Sequence, residues 1–380
     1  MSFMAGIYIH IPFCKQACYY CDFHFSTNQS QREELIRSIS LELDSQKDYL
    51  KGEQIDTVYF GGGSPSLLSK MELDIIFNSI YKYYSVTSLP EITLEANPDD
   101  LSLEKIIILK ESGINRVSLG IQSFDDTILK FLNRAHTRED ALLCLARLRE
   151  HEITNLSIDL IHSIPGQDRR LLIQNLEKVI ALTPQHISVY SLTIEEKTVF
   201  GKWASRGQLK AVDESHSAEQ FELVMDTLTG NGYQHYEISN FCLPGFASKH
   251  NRSYWQQKKY LGVGPSAHSF DGETRQFNLS NNPRYVKSLQ EGKIPFEKEM
   301  LTKENRINEY IFTSLRTSEG CDLSYLKNSY DYDIKKVNST YIHSLLKEGH
   351  AVLPNEILIL TRKGKLLADK IASDLFASLE

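Results

Sequence analysis

No stretch of this chain is long and apolar enough to cross a bilayer, since none approaches the roughly 20 uninterrupted residues that a spanning helix needs. The start, Met1-Ser-Phe-Met-Ala-Gly6, has no basic stretch followed by an apolar core. No secretory leader is therefore expected, and the cytoplasm is the expected compartment. A surplus of positive charge is missing too: 42 Lys and Arg stand against 49 Asp and Glu, a net charge of −7 spread along the chain. Net charge thus gives no footing to nucleic-acid binding. There is no internal repeat and no low-complexity tract. Cysteine is scarce, six in 380 residues, which does not fit a small disulfide-stapled scaffold. Cys144, Cys242 and Cys321 stand alone and read as buried small apolar residues.

The other three cysteines fall within eight residues, Cys14-Lys-Gln-Ala-Cys18-Tyr-Tyr-Cys21, directly after the apolar run Ile7-Tyr-Ile-His-Ile-Pro12. Three thiolates at this spacing can hold three irons of a cubane cluster and leave the fourth iron to a ligand that is not protein. A [4Fe–4S] cluster otherwise takes four cysteines. The competing reading is structural zinc. It needs paired Cys-x-x-Cys units or a Cys/His set that closes a tetrahedron. Here a second pair is missing, although His10 and His24 flank the motif and either is a conceivable fourth ligand.

A chain of this length, 41% hydrophobic, suggests one large unit and a smaller one. Short β-rich runs at residues 6–11, 57–61, 91–95, 116–121, 155–161 and 186–192 alternate with helical spacing at 33–50, 70–84, 103–111, 125–150 and 169–182. Such alternation indicates βα units around a parallel sheet. The chemistry clusters at the strand ends: the cysteines after the first, Gly61-Gly62-Gly63-Ser64-Pro65 after the second, Glu95-Ala-Asn97-Pro98 at the third. The fourth runs into Gln122, and the fifth ends around Asp159. The carboxyl ends of successive strands are where a βα barrel places its site. A strand buried on both faces should be nearly all apolar, so Glu95 and Asp159 call for partners. From about residue 295 two or three helices, a hairpin over 351–360 and a last helix suggest a winged-helix-like appendage. Its basic residues alternate with acids, so a packing module is the better reading than a DNA reader. The expected architecture is an α/β partial barrel of (β/α)6 type over 1–230. A barrel extension over 231–294 and a mainly helical C-terminal domain over 295–380 complete it.

With its cysteine motif and glycine loop the chain resembles radical S-adenosylmethionine (SAM) proteins. The likeness is nearest to oxygen-independent coproporphyrinogen III dehydrogenases and their HemW-type haem-chaperone relatives. In that superfamily SAM chelates the open iron, and an electron from the reduced cluster cleaves it to a 5′-deoxyadenosyl radical. The resemblance implies that Gly62, Gly63 and Ser64 approach the SAM amino group, with Tyr8 and Tyr20 against SAM near the cluster. It places Glu95 and Gln122 on the ribose and methionyl parts, Arg134 on the carboxylate and Asp159 at the far rim. A guanidinium fork suits a carboxylate, and an acidic side chain suits sugar hydroxyls.

Two features divide the family. The dehydrogenases carry a further cysteine where this chain has Phe23, and a longer N-terminal arm, whereas thirteen residues precede Cys14 here. Conversely, His250-Asn-Arg-Ser-Tyr-Trp255 resembles the His-Asn-x-x-Tyr-Trp signature of the haem chaperones. By that resemblance His250 is implicated in haem binding, with Tyr254 and Trp255 offering flat apolar area. Turn-forming residues on both sides suggest that the segment projects from the barrel. The expectation is a haem chaperone with a [4Fe–4S] cluster, SAM and haem b, delivering haem to acceptors such as respiratory enzymes. The reading leaves room for peripheral membrane association. The alternative is SAM-dependent oxidative decarboxylation of coproporphyrinogen, for which no activity is expected.

Overall fold

Residues of the inner halves of the first strands, Gly6–Ile11 and Thr57–Phe60, point alternately to two faces, and that alternation builds the molecule. The computed structural model describes residues 4–378. Strands β1 (Met4–Ile11), β2 (Gln54–Gly62), β3 (Val86–Ala96), β4 (Arg116–Gln122), β5 (Leu156–His162) and β6 (His186–Ser191) lie side by side in parallel. One face carries Ile7, Ile9, Val58, Phe60, Leu94, Leu119, Ile158 and Val189, all in the main apolar core. Helices α1 (Arg32–Ser45), α2 (Lys70–Tyr83), α3 (Leu103–Glu111), α4 (Asp126–Phe131), α5 (Arg138–Glu150) and α6 (Arg169–Leu182) belong to the connections between these strands. The other face lines a lumen and carries Tyr8, Thr57, Tyr59, Glu95, Arg116, Ser118, Asp159 and His186. An all-apolar parallel strand is therefore the wrong expectation here, because the lumen is hydrogen-bonded rather than greasy: Ser157 Oγ reaches His186 Nδ1 at 2.8 Å.

The sheet does not stop at six strands. Beyond β6 lie the antiparallel β7 (Gln234–Glu237) and β8 (Asn240–Cys242). On the other side β9 (Tyr260–Val263) runs parallel to β1, followed by antiparallel β10 (His268–Phe270), β11 (Thr274–Asn278) and β12 (Phe296–Met300). The order is β12-β11-β10-β9-β1-β2-β3-β4-β5-β6-β8-β7, a partial barrel with an open arm. Helices α7 (Val199–Ser205), α8 (Glu214–Gly230), α9 (Lys249–Trp255) and α10 (Asn282–Gln290) complete this part.

One helix expected over 125–150 is two. Asp125 caps α4 and the Thr137–Asp140 box caps α5. Between them the chain turns out through Asn133, at φ 57°. The C-terminal part begins with α11 (Lys303–Leu315) and has its own apolar cluster, including Ile307, Ile311, Leu326 and Leu358. A small antiparallel sheet joins Cys321–Asp322, Ile357–Leu360 and Ala351–Val352. The hairpin is as expected, and its third strand is an addition. Cys144, Cys242 and Cys321 are buried. Among the described residues no helix is long and apolar enough to cross a membrane.

Candidate functional site

The loop after β1 is tied down from both sides. Gly63 N–H donates to Ile11 O at 2.8 Å and Ser64 N–H to Phe13 O at 2.7 Å. A Cβ on Gly63 would stand 2.7 Å from the Phe13 carbonyl oxygen, so this close approach of two loops admits glycine alone. Lys15 Nζ lies 2.5 Å from Asp100 and 3.2 Å from Asp99. The turn between α4 and α5 supplies the second clamp: Asn133 Nδ2 donates to Ala17 O at 2.7 Å, and Gln16 Nε2 donates to Asn133 O at 2.8 Å. Breaking the predicted helix is thus what fixes the cysteine loop.

Cys14, Cys18 and Cys21 are unpaired, partly exposed, and line one wall of a cavity of about 560 Å³. Burial pushes the Cys14 thiol up to about 11 and the Cys21 thiol up to about 12. Among the described residues no three His, Cys, Asp or Glu side chains converge on a position for one metal ion. A cubane asks something different of its thiolates, one separate iron each, and a donor set of three thiols fits it.

The facing wall comes from the carboxyl ends of β2 to β6. Gly62, Gly63, Ser64, Glu95, Gln122, Arg134, Asp159 and Tyr20 all line the cavity. Glu95 accepts from Tyr59 OH at 2.8 Å and from Gly62 N–H at 3.2 Å. Burial pushes its carboxyl up to about 7, with the Asp159 charge adding to the effect. Burial also raises Asp159, which accepts from Ser118 Oγ at 3.1 Å and from Ser157 Oγ at 3.2 Å. These are the partners that the sequence demanded. Arg134 Nη2 donates to Asn97 Oδ1 and to Gly120 O, each at 2.6 Å, and Nη1 reaches Cys18 Sγ at 3.3 Å. Its buried Nε has no partner among the described residues. Asn97 Nδ2 in turn donates to Ser64 Oγ at 2.7 Å, and the Ser64 hydroxyl points at Cys14 Sγ, 3.7 Å away. Tyr59 and Ser118 carry no signal of their own in the sequence, whereas Asn97 belongs to the strand-end run two residues after Glu95.

Two residues are not where the sequence reading puts them. Tyr8 lies deeper in the lumen, its hydroxyl 3.3 Å from His10 Nδ1 and its ring stacked 6.0 Å from Tyr59. His250 does not project from the barrel. It is fully buried, in α9. The N–H groups of Lys249 and His250, in the first turn of α9, donate to the Glu91 carboxylate at 3.2 and 3.1 Å, which draws the helix onto the foot of β3. The ring enters the lumen, with Nδ1 on Thr57 Oγ1 at 2.7 Å, Nε2 on Tyr254 OH at 2.8 Å, and its face 5.0 Å from Tyr59. Burial holds it down to about 3, so it is neutral. Both ring nitrogens are engaged, and in this arrangement neither can meet an iron.

Comparison with known proteins fits this geometry. Residues 8–179 match the model of the radical SAM superfamily. The chain is 35% identical to the heme chaperone HemW of Bacillus subtilis, covering 97% of this chain and 98% of that one. It is 36% identical to HemW of Lactococcus lactis, over 96% and 95%. Among solved structures, the Escherichia coli coproporphyrinogen III oxidase HemN, described as a radical SAM enzyme, matches with a TM-score of 0.86. That match covers 100% of this chain and 91% of the other at 22% identity, a likeness of fold alone. Taken with the three cysteines and the polar barrel mouth, these matches make the chain a member of the radical SAM superfamily and, within it, of the HemW family.

Proposed function

We propose that this protein is a haem chaperone: it carries a [4Fe–4S] cluster and SAM, binds haem b and passes it to haem-dependent proteins such as respiratory enzymes. The observation that carries the reading is the alignment with HemW relatives along nearly the whole chain, the open arm and the C-terminal part included. Superfamily membership implies the cluster and SAM, and the donor set suits both. Cys14, Cys18 and Cys21 would hold three irons. Arg134 Nε, the guanidinium nitrogen left without a partner, is the donor available to a carboxylate. Glu95 and Asp159 would accept from hydroxyl or ammonium groups, and Gln122 and the Gly62–Gly63 backbone would complete the cradle. When bound, the cluster and SAM supply one-electron chemistry. The protein's part is to orient and to exclude water, with Asn97 coupling the Arg134 side to the Ser64–Cys14 side through two hydrogen bonds.

The dehydrogenase reading has the HemN likeness of fold behind it. Against it stands Phe23, 73% exposed at the cavity, where the dehydrogenases have a cysteine. One anaerobic preparation with a reconstituted cluster tests both readings. Haem uptake without coproporphyrinogen consumption, in the presence of SAM and a strong reductant, is the expected result. Robust SAM-dependent turnover without haem uptake would transfer the assignment to the dehydrogenase.

A further inference from the structure

If His250 is locked in the lumen, another group must meet the iron of a bound haem. Of the twelve histidines, five are buried, including His250. Five more are half-buried, each with a polar partner beside at least one ring nitrogen. Two are exposed, His268 and His343, and neither has a ring hydrogen bond among the described residues. His343 stands on a helix of the C-terminal part, Ser339–Lys347. His268 stands at the start of β10, on the sheet that bears the cavity.

The backbone brings His268 over the lumen side. Gly262 of β9 pairs with Tyr8 of β1. A Cβ on Gly262 would lie 2.0 Å from the His268 carbonyl oxygen, so the chain crosses there only because Gly262 has none. His268 faces Phe277 directly across the β10–β11 ladder, ring centroids 5.7 Å apart and tilted by 30°. The flanking Gln276 and Asn278 bond to Gln46 and Glu42 beyond the other face, and alternation then sends Phe277 and His268 to the lumen side. His10, next along that face, has its ring 6.0 Å from that of His24. Phe23 and Phe25 flank His24 and line the cavity. An accessible imidazole and an aromatic neighbour therefore share the face of the sheet to which Tyr8 and His10 also belong.

We propose that haem, as cargo, is held through its iron by the His268 imidazole, with the macrocycle against Phe277 on the lumen side of β9–β11. The assignment rests on the chaperone reading and names its site. An imidazole is a common axial ligand, and a surface position suits a cargo that must be given away.

The test is a haem titration of the cluster-reconstituted protein, followed by Soret difference spectra, with His268→Ala, His268→Met and His343→Ala alongside. His268→Ala should weaken uptake at least tenfold or shift the Soret band, and added imidazole should restore the original spectrum. His268→Met should give a third band position, a signature of the ligand itself. His343→Ala should match the unsubstituted protein, and cluster content should be equal throughout. Unchanged spectrum and affinity in His268→Ala would overturn the assignment and leave the chaperone reading standing. No uptake by the unsubstituted protein would overturn both.

Discussion

Glu95→Gln isolates one charge that its surroundings resist. The carboxyl is raised from an ordinary 4.5 to about 7 because it is buried and faces Asp159, although Tyr59 OH, Gly62 N–H and the Arg116 guanidinium oppose the shift. Between these two values the folded protein holds a proton that the unfolded chain has released, so stability falls as pH rises. The contribution is present in full below about pH 4.5 and lost as pH passes about 7. At about 1.4 kcal/mol per unit the full shift corresponds to about 3 kcal/mol, and the partial exposure of the carboxyl to the cavity lowers this to about 1.5–3 kcal/mol. Glutamine keeps the shape and an oxygen for Tyr59 but cannot ionise. Urea unfolding of the cluster-free, reduced protein should therefore find variant and parent close at pH 5, and the variant more stable by about 1.5–3 kcal/mol at pH 8. Relief of Asp159 from its neighbour acts in the same direction. The same variant should bind SAM more weakly, since ordinary stability is traded there for a ligand-binding charge. A stability difference that does not change with pH would refute the account of this carboxylate.

Replacing Cys14, Cys18 or Cys21 by Ala should abolish stable cluster assembly, read as iron and acid-labile sulfide after anaerobic reconstitution. Tightly bound zinc without sulfide in the parent protein would defeat the cluster reading. Arg134→Ala should weaken SAM binding about 10- to 100-fold, the loss expected for a charged hydrogen bond of about 1.5–3 kcal/mol. Normal SAM affinity in that variant would remove Arg134 from the site. His250→Ala should lower stability by about 2–4 kcal/mol, because it leaves Thr57 and Tyr254 hydroxyls unpartnered and a hole against Tyr59. An unfolding midpoint equal to the parent's would contradict its role as a buried lumen residue.

The cysteine loop and the strand ends were legible because contiguous residues carry them. A three-thiol motif, a glycine run and a carboxylate at a strand end need no distant partner to be recognised. The break between α4 and α5 was not legible, since Leu132-Asn133-Arg134-Ala135-His136 contains neither glycine nor proline. What decides it is Asn133 turning to Ala17, 116 residues earlier. His250 misled for the same reason. Its aromatic neighbours look like a surface platform, yet the Glu91 carboxylate, 159 residues away in sequence, draws the helix inward. The arm β9–β12 was missed because strands of three to five residues take their identity from their ladder partners rather than from their own pattern.

The place of β9 beside β1 has a bearing on biosynthesis. The Gly6–Ile9 edge of β1 finds its second partner only in Tyr260–Val263, so during translation it remains an open template until those residues have left the ribosome. The lumen end beneath Thr57 likewise waits for His250. A nascent or truncated chain ending near residue 230 would present a bare strand edge and an unplugged polar interior, both invitations to mispairing. The barrel is thus assembled by its ends, and its first strand is completed among the last.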